Sequence, residues 1–295
     1  MTARQLFYAS NDALRAPWRV ALFLAILVAL FQVLEKVAIR LWPTPGLLAQ
    51  SARGYGSALV ALIASHAIML RAVDRRAWST VGLGRSQAAP PLLGAGLAFG
   101  ALGILVPSGL LLLAHWLRPA PPTAADGSAP LFALQMALFF LPQSLCEEML
   151  SRGYIFAAIR EGAGTGWALA LTALPFAAMH LWNPGADAQS FTMVLLAGVF
   201  LGAIIVVTGS LWAAWMAHFA WNFAILGVLH APVSGVVLPA PGYTIVDAGP
   251  AWATGGAWGP EGGAAAALGM CAGLGVLYAW HRRGARPALA ELAHG

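Results

Sequence analysis

The sequence predicts an all-α fold: a polytopic transmembrane helical bundle of about eight spans. Three observations lead there. Of the 295 residues, 60% are hydrophobic and only 9% are charged, whereas a soluble domain carries about 25% charged residues. A chain this apolar has too few polar groups to cover its surface in water. The apolar residues fall in runs of roughly 20, the length that crosses the hydrocarbon core as a helix. Small residues, 33 glycines among them, are spread through these runs, which suits close helix–helix packing in lipid.

Taken in order, the first run extends from Trp18 to about Leu34 and the second from Tyr55 to Leu70. The third, Leu92 to Leu117, contains Pro107. The fourth begins at Leu131 and passes through Glu147 and Glu148; if it continues to about Arg160, Glu147 lies roughly 20 Å deep. The fifth is Trp167 to His180 and the sixth Phe191 to Val207. The seventh, Leu211 to Leu229, follows a tight Gly209-Ser210 turn, and the eighth is Ala264 to Trp280. The first run is too long for the apolar region of a cleaved signal peptide and lacks a small-residue cleavage site, so it is read as a retained span. Between runs, Arg118–Pro130 is Pro-rich and polar. Ala231–Gly263 is rich in Pro and Gly and almost uncharged, and is expected to be irregular structure at the membrane surface. With no internal repeat, the chain reads as a single membrane-embedded domain, 1–295, whose core of interest is 131–230.

The net charge of +5 does not point to nucleic acid. Fifteen of the 16 basic residues are Arg and the other is Lys36. They lie between the apolar runs and form no stripe of the kind a phosphate backbone needs. They are read instead as charges that orient the spans. With the N-terminus inside, 12 of them (Arg4, Arg19 and Arg76 among these) lie on the cytoplasmic side and four (Lys36, Arg40, Arg53, Arg118) outside. Both termini are therefore expected to be cytoplasmic. Low Lys with high Ala, Gly and Arg fits a GC-rich genome, so a multi-pass protein of a bacterial inner membrane is expected, with the lipid bilayer as its first partner. Cys146 and Cys271 lie in apolar runs without CxxC spacing and read as packed thiols. His66, His115, His230 and His281 read as interfacial or packing residues, and His294 as part of the tail.

Ionisable groups inside a membrane cost several kcal/mol unless something offsets them, and three spans break the apolar rule. The fourth carries Glu147-Glu148-x-x-x-Arg152, the fifth ends Phe176-x-x-x-His180, and the seventh carries His218-x-x-x-Asn222. Adjacent helical residues point about 100° apart, so the two carboxylates cannot share one task. Glu148 and Arg152, spaced i,i+4 with the acid first, suit a helical ion pair. Glu147 is left without a local cation, and a carboxylate in low-dielectric surroundings can exchange protons near neutral pH. His218 and Asn222 share a face and form a pair of hydrogen-bond donors of the kind an oxyanion needs. Phe176 covers the face of His180, which is then available to pair with Glu147 around a water. Trp221 lies between His218 and Asn222 and could line the pocket, but at helical spacing it points away from both, which equally suits packing against lipid or a helix. At 1.5 Å per residue, all three polar groups fall roughly 12–20 Å deep, so an active site between the fourth, fifth and seventh helices is expected.

These three signatures, in this order on successive apolar helices, resemble the CAAX prenyl protease and bacteriocin-processing (CPBP, or Abi) family of intramembrane proteases. The resemblance covers Leu131 to Leu229, and Arg76–Leu83 resembles a Trp…Gly-Leu segment seen upstream in that family. It implies an intramembrane endopeptidase in which Glu147 activates water with His180 as its partner, His218 and Asn222 stabilise the oxyanion, and Glu148, Arg152 and Phe176 support them. Substrates would be lipidated or leader peptides, or other membrane proteins. The family is often labelled metalloprotease. The joint donor role of His218 and Asn222, and the lack of a His-Glu-x-x-His pair, favour a metal-free glutamate mechanism with no cofactor. The alternative is a divalent metal such as zinc held by Glu147, His180 and His218. Two other functions fit buried ionisable groups: a proton-coupled transporter, which the lack of an internal repeat disfavours, and a non-catalytic peptide-binding scaffold or immunity protein.

Overall fold

A computed structural model describes residues 7–8, 14–43, 46–124 and 127–293; Arg4 and His294 lie outside them. Long helices occupy all eight apolar runs: α1 (Ala16–Leu41), α2 (Leu47–Ile68), α3 (Pro90–Leu113), α4 (Ala129–Arg152), α6 (Thr165–Met179), α7 (Ala188–Thr208), α8 (Leu211–Asn222) and α10 (Ala264–Ala293). A shorter α5 (Tyr154–Ala163) follows α4, and a single turn, α9 (Ala251–Thr254), precedes α10. Seven of these segments are long and apolar enough to cross a membrane, counting α4 with α5 as one and α8 with the turn that follows it. The exception is α6: its 15 residues rise only ~22 Å at 1.5 Å each.

The helix boundaries follow local chemistry. Proline stands in the first turn of α1, α3 and α4, where its missing N–H costs no hydrogen bond. Asp187 caps α7 by accepting from the Ser190 backbone N–H at 2.7 Å, while the Ser190 hydroxyl accepts from the Asp187 N–H at 2.8 Å. Gly209, at φ 66°, ends α7 in the left-handed region, and Ser210 caps α8 by accepting from Ala213 N–H at 3.1 Å. After Asn222 the backbone widens into a π turn, Phe223–Val228.

The fourth span reaches Arg160 through α5, with a break at Gly153 (ψ −120°). The cause lies on α2. His66 is fully buried, donates through Nδ1 to the Leu62 carbonyl at 2.8 Å, and accepts the Tyr154 backbone N–H on Nε2 at 3.1 Å. The Tyr154 N–H is thus satisfied outside the helix. A Cβ on Gly153 would stand 2.4 Å from the same Nε2. Trp78, from the Arg76–Leu83 stretch, stacks on His66 at 6.1 Å. A few residues on, the Gly82 carbonyl accepts the Leu211 N–H at 3.0 Å. One upstream segment thereby buttresses both the α4–α5 break and the start of α8.

Arg19 joins α1 to Asp74 (2.6 Å) beyond α2 and to Glu161 (2.8 Å) on α5, and Arg76 also pairs with Glu161. Arg53 pairs with Glu35 at 3.1 Å near the opposite end of α1.

The two linkers meet each other. Strand β1 (Leu117–Ala120) pairs antiparallel with β2 (Thr244–Asp247), in the register Leu117↔Asp247 to Ala120↔Thr244. Ala231, Val233, Ala240, Ile245, Ala253 and Trp258 are buried. The Ala231–Gly263 segment is mostly irregular, as expected, but most of these buried residues join the core of the bundle, so it forms a cap and not only surface structure. Cys146 is buried, but Cys271 is exposed on α10 and is not a packed thiol.

Glycine sets the closest helix approach. A Cβ on Gly96 would lie 2.2 Å from the Ala213 carbonyl oxygen, and one on Gly100 2.0 Å from that of Ala217, so α3 packs backbone to backbone against α8. Gly94, on the same helix, faces open space. Gly100→Ala is expected to destabilise the detergent-solubilised protein by roughly 1–3 kcal/mol through overpacking, and Gly94→Ala to leave it unchanged or stabilise it by about 0.5–1 kcal/mol. Thermal unfolding of the two variants side by side measures the difference.

Candidate active site

The expected site residues line one cavity of about 720 Å3 between α4, α6 and α8: Glu147, His180, His218 and Asn222, with Phe176 in its wall. Its lining is mostly apolar and reaches α1 at Leu27 and Phe31 and α2 at Tyr55.

On α4 the one-residue offset between the carboxylates gives them separate surroundings. Glu148 and Arg152 are both fully buried behind the cavity. Arg152 Nη1 donates to Glu148 Oε1 at 3.1 Å, and His218 Nδ1 approaches the same oxygen at 2.8 Å. Arg152 Nη2 donates to the Gly198 carbonyl of α7 at 3.0 Å, and the guanidinium lies 4.1 Å over the Phe176 ring. Phe176 also meets the His218 ring edge-on at 6.0 Å. The spacing of Glu148 and Arg152 therefore forms the expected ion pair, and Phe176 is the surface on which that pair rests.

Glu147 faces the cavity. Its Oε1 accepts a hydrogen bond from Gln143 Nε2, and its Oε2 has no hydrogen-bond partner. His218 Nε2 stands 3.8 Å from that Oε2. The imidazole within reach of Glu147 is thus His218, and the expected pairing with His180 is not a direct contact. His180 caps the end of α6, and its Nδ1 donates to the Phe176 carbonyl at 2.8 Å. That bond leaves Nε2 unprotonated in the neutral ring. Asn222 Nδ2 donates to Gln143 Oε1 at 3.2 Å.

Several cavity groups went unremarked in the sequence. Gln143 sits one helical turn before Glu147, and that i,i+4 spacing is a readable signal. Glu261 and Ser234, from the 231–263 cap, have none. Glu261 Oε1 accepts from the Ser234 N–H (2.6 Å) and hydroxyl (2.7 Å), and its Oε2 from Trp221 Nε1 (2.8 Å). Of the two readings of Trp221, the structure gives the first: it lines the cavity, where the cap supplies a partner for its indole N–H. Asn183, just beyond His180, donates to the Ser234 carbonyl at 3.0 Å and holds the same turn.

The geometry is one of facing polar groups in an apolar, membrane-depth chamber, and it agrees with an independent comparison. Residues 129–224 match the Rce1-like family of type II CAAX prenyl endopeptidases. The Rce1-like segment runs from the start of α4 through α8 and so carries all three signatures, while α1–α3, the cap and α10 lie outside it. No curated protein and no solved structure matches the chain.

Among the described residues no three His, Cys, Asp or Glu side chains gather closely enough to hold an ion. The 3.8 Å between His218 Nε2 and Glu147 Oε2 is longer than a hydrogen bond.

Removing Arg152 would leave Glu148 a buried, half-compensated charge. Arg152→Ala is expected to cost about 3–5 kcal/mol of stability, read as a large fall in the unfolding temperature of the purified protein.

Proposed function

We propose that the chain is an intramembrane endopeptidase that hydrolyses peptide bonds of membrane-associated substrates (leader peptides, lipidated tails or other membrane proteins) by a water that Glu147 activates. The observation that carries this reading is the set of residues lining one chamber, Glu147, His180, His218 and Asn222, with Glu147 Oε2 buried without a hydrogen-bond partner 3.8 Å from His218 Nε2.

Each group has a distinct task. Water oxygen attacks the scissile carbonyl carbon as one of its protons passes to Glu147 Oε2. His180 Nε2 accepts the water's other hydrogen and orients it. The carbonyl π pair moves onto oxygen, and the oxyanion accepts from His218 Nε2–H and the second Asn222 Nδ2–H. The tetrahedral intermediate then collapses, the C–N bond breaks, and the proton on Glu147 passes to the leaving nitrogen. With Nδ1–H given to Glu148, His218 can donate through Nε2 only as an imidazolium. In that state the charges of Glu147, Glu148, Arg152 and His218 sum to zero, which suits a buried cluster. No step requires a resident metal.

Glu147→Ala or His180→Ala is expected to lower fluorogenic-peptide cleavage by purified protein roughly 10²–10⁴-fold with folding intact, and full retained activity would remove that residue from the mechanism. Cleavage is also expected to survive exhaustive chelation, with no stoichiometric metal by elemental analysis. Loss of activity on chelation and its return with zinc would contradict the metal-free reading.

A further inference from the structure

Gln143 has no place in the motifs and no chemistry of its own, yet it touches both halves of the site. It is buried on α4. Its Oε1 accepts from Asn222 Nδ2 on α8 at 3.2 Å and from the Ser144 hydroxyl at 3.1 Å. Its Nε2 donates to Glu147 Oε1. A carboxamide oxygen has two lone pairs, and both are taken by donors. The amide therefore cannot flip without facing two N–H or O–H donors with its own NH2. One of its two Nε2–H groups donates to Glu147.

We infer that Gln143 is a positioning residue that locks the Glu147 carboxylate and the Asn222 carboxamide in one fixed relation, so that base and oxyanion donor face the same substrate carbonyl. This rests on the proposed peptidase reading. Three consequences follow from the geometry. With Oε1 of Glu147 held by Gln143, Oε2 is the oxygen turned toward His218 Nε2, 3.8 Å away. With one Asn222 N–H given to Gln143, the other is left for the oxyanion. And because Gln143 and Glu147 share α4 while Asn222 is on α8, the bridge fixes the two helices at the level of the chemistry. Misplacement of a reacting group by about 1 Å can cost on the order of 100-fold in rate, so a tie of this kind matters to turnover more than to substrate affinity.

The test uses the full-length protein in detergent or liposomes with a fluorogenic peptide. Gln143→Met keeps the length and packing of the side chain without its hydrogen bonds. It is expected to lower kcat about 10- to 100-fold, with KM close to wild type and a modest fall in the unfolding temperature from the buried groups it leaves unpaired. Gln143→Glu, which keeps the acceptor for Asn222 but loses the donor to Glu147, and Gln143→Lys, which does the reverse, are each expected to fail to restore kcat. Independently of turnover, the infrared carboxylate band assigned to Glu147 by its loss in Glu147→Gln is expected to change frequency in Gln143→Met. Wild-type kcat and an unmoved band in folded Gln143→Met, beside an inactive Glu147→Gln, would overturn the positioning role alone. Wild-type kcat in Glu147→Gln would overturn the peptidase reading and this inference with it.

Discussion

The fold is organised around a buried charge cluster in which Glu148 Oε1 receives both Arg152 and His218. A carboxylate and a guanidinium, each wholly shielded, stand where desolvation costs several kcal/mol per ion. That cost is offset only if every partner is in place, so the cluster dictates the arrangement of the helices that supply them. Arg152 reaches the Gly198 carbonyl on α7 and lies over Phe176 on α6, while His218 comes from α8. Three helices are thereby fixed to α4 at one level. Because His218 is tethered through Nδ1, its Nε2 is turned toward Glu147 and the chamber. The two adjacent glutamates divide the work by the 100° step of the helix: one builds the wall, and the other faces the space it encloses.

What lies outside the 129–224 segment serves this arrangement. The glycines of α3 let its backbone approach α8 to contact distance. The His66–Trp78 stack and the Gly82–Leu211 hydrogen bond set where α4 ends and α8 starts. The cap brings Glu261 and Ser234 over Trp221 and so closes one end of the chamber. An apolar, half-enclosed chamber strengthens each electrostatic contact within it, which is the condition the proposed glutamate-activated water needs.

Much of this is legible in the amino-acid sequence, for physical reasons. All eight apolar runs became helices because lipid leaves the backbone no other economical way to satisfy its polar groups. The Glu148–Arg152 pair and the shared face of His218 and Asn222 are local in sequence, so helical spacing reveals them. The break at Gly153 was not legible, since it depends on His66, 87 positions away in the chain from Gly153. The same holds for the β1–β2 pairing of the two linkers, the inward turn of Trp221, and the bond from His218 to Glu148. Each joins residues remote in sequence, whose meeting is decided by packing. Gln143 is the intermediate case: its spacing from Glu147 could be read, but its second contact with Asn222 could not.

The most direct measurement of the central claim is a double-mutant cycle between Glu148→Gln and His218→Gln on the unfolding free energy of the purified protein. Direct contact in a buried cluster predicts a coupling of roughly 1–3 kcal/mol between the two sites. Effects that add to within about 0.5 kcal/mol would mean that the two helices do not meet through these side chains, and the chamber built on their contact would not exist as drawn.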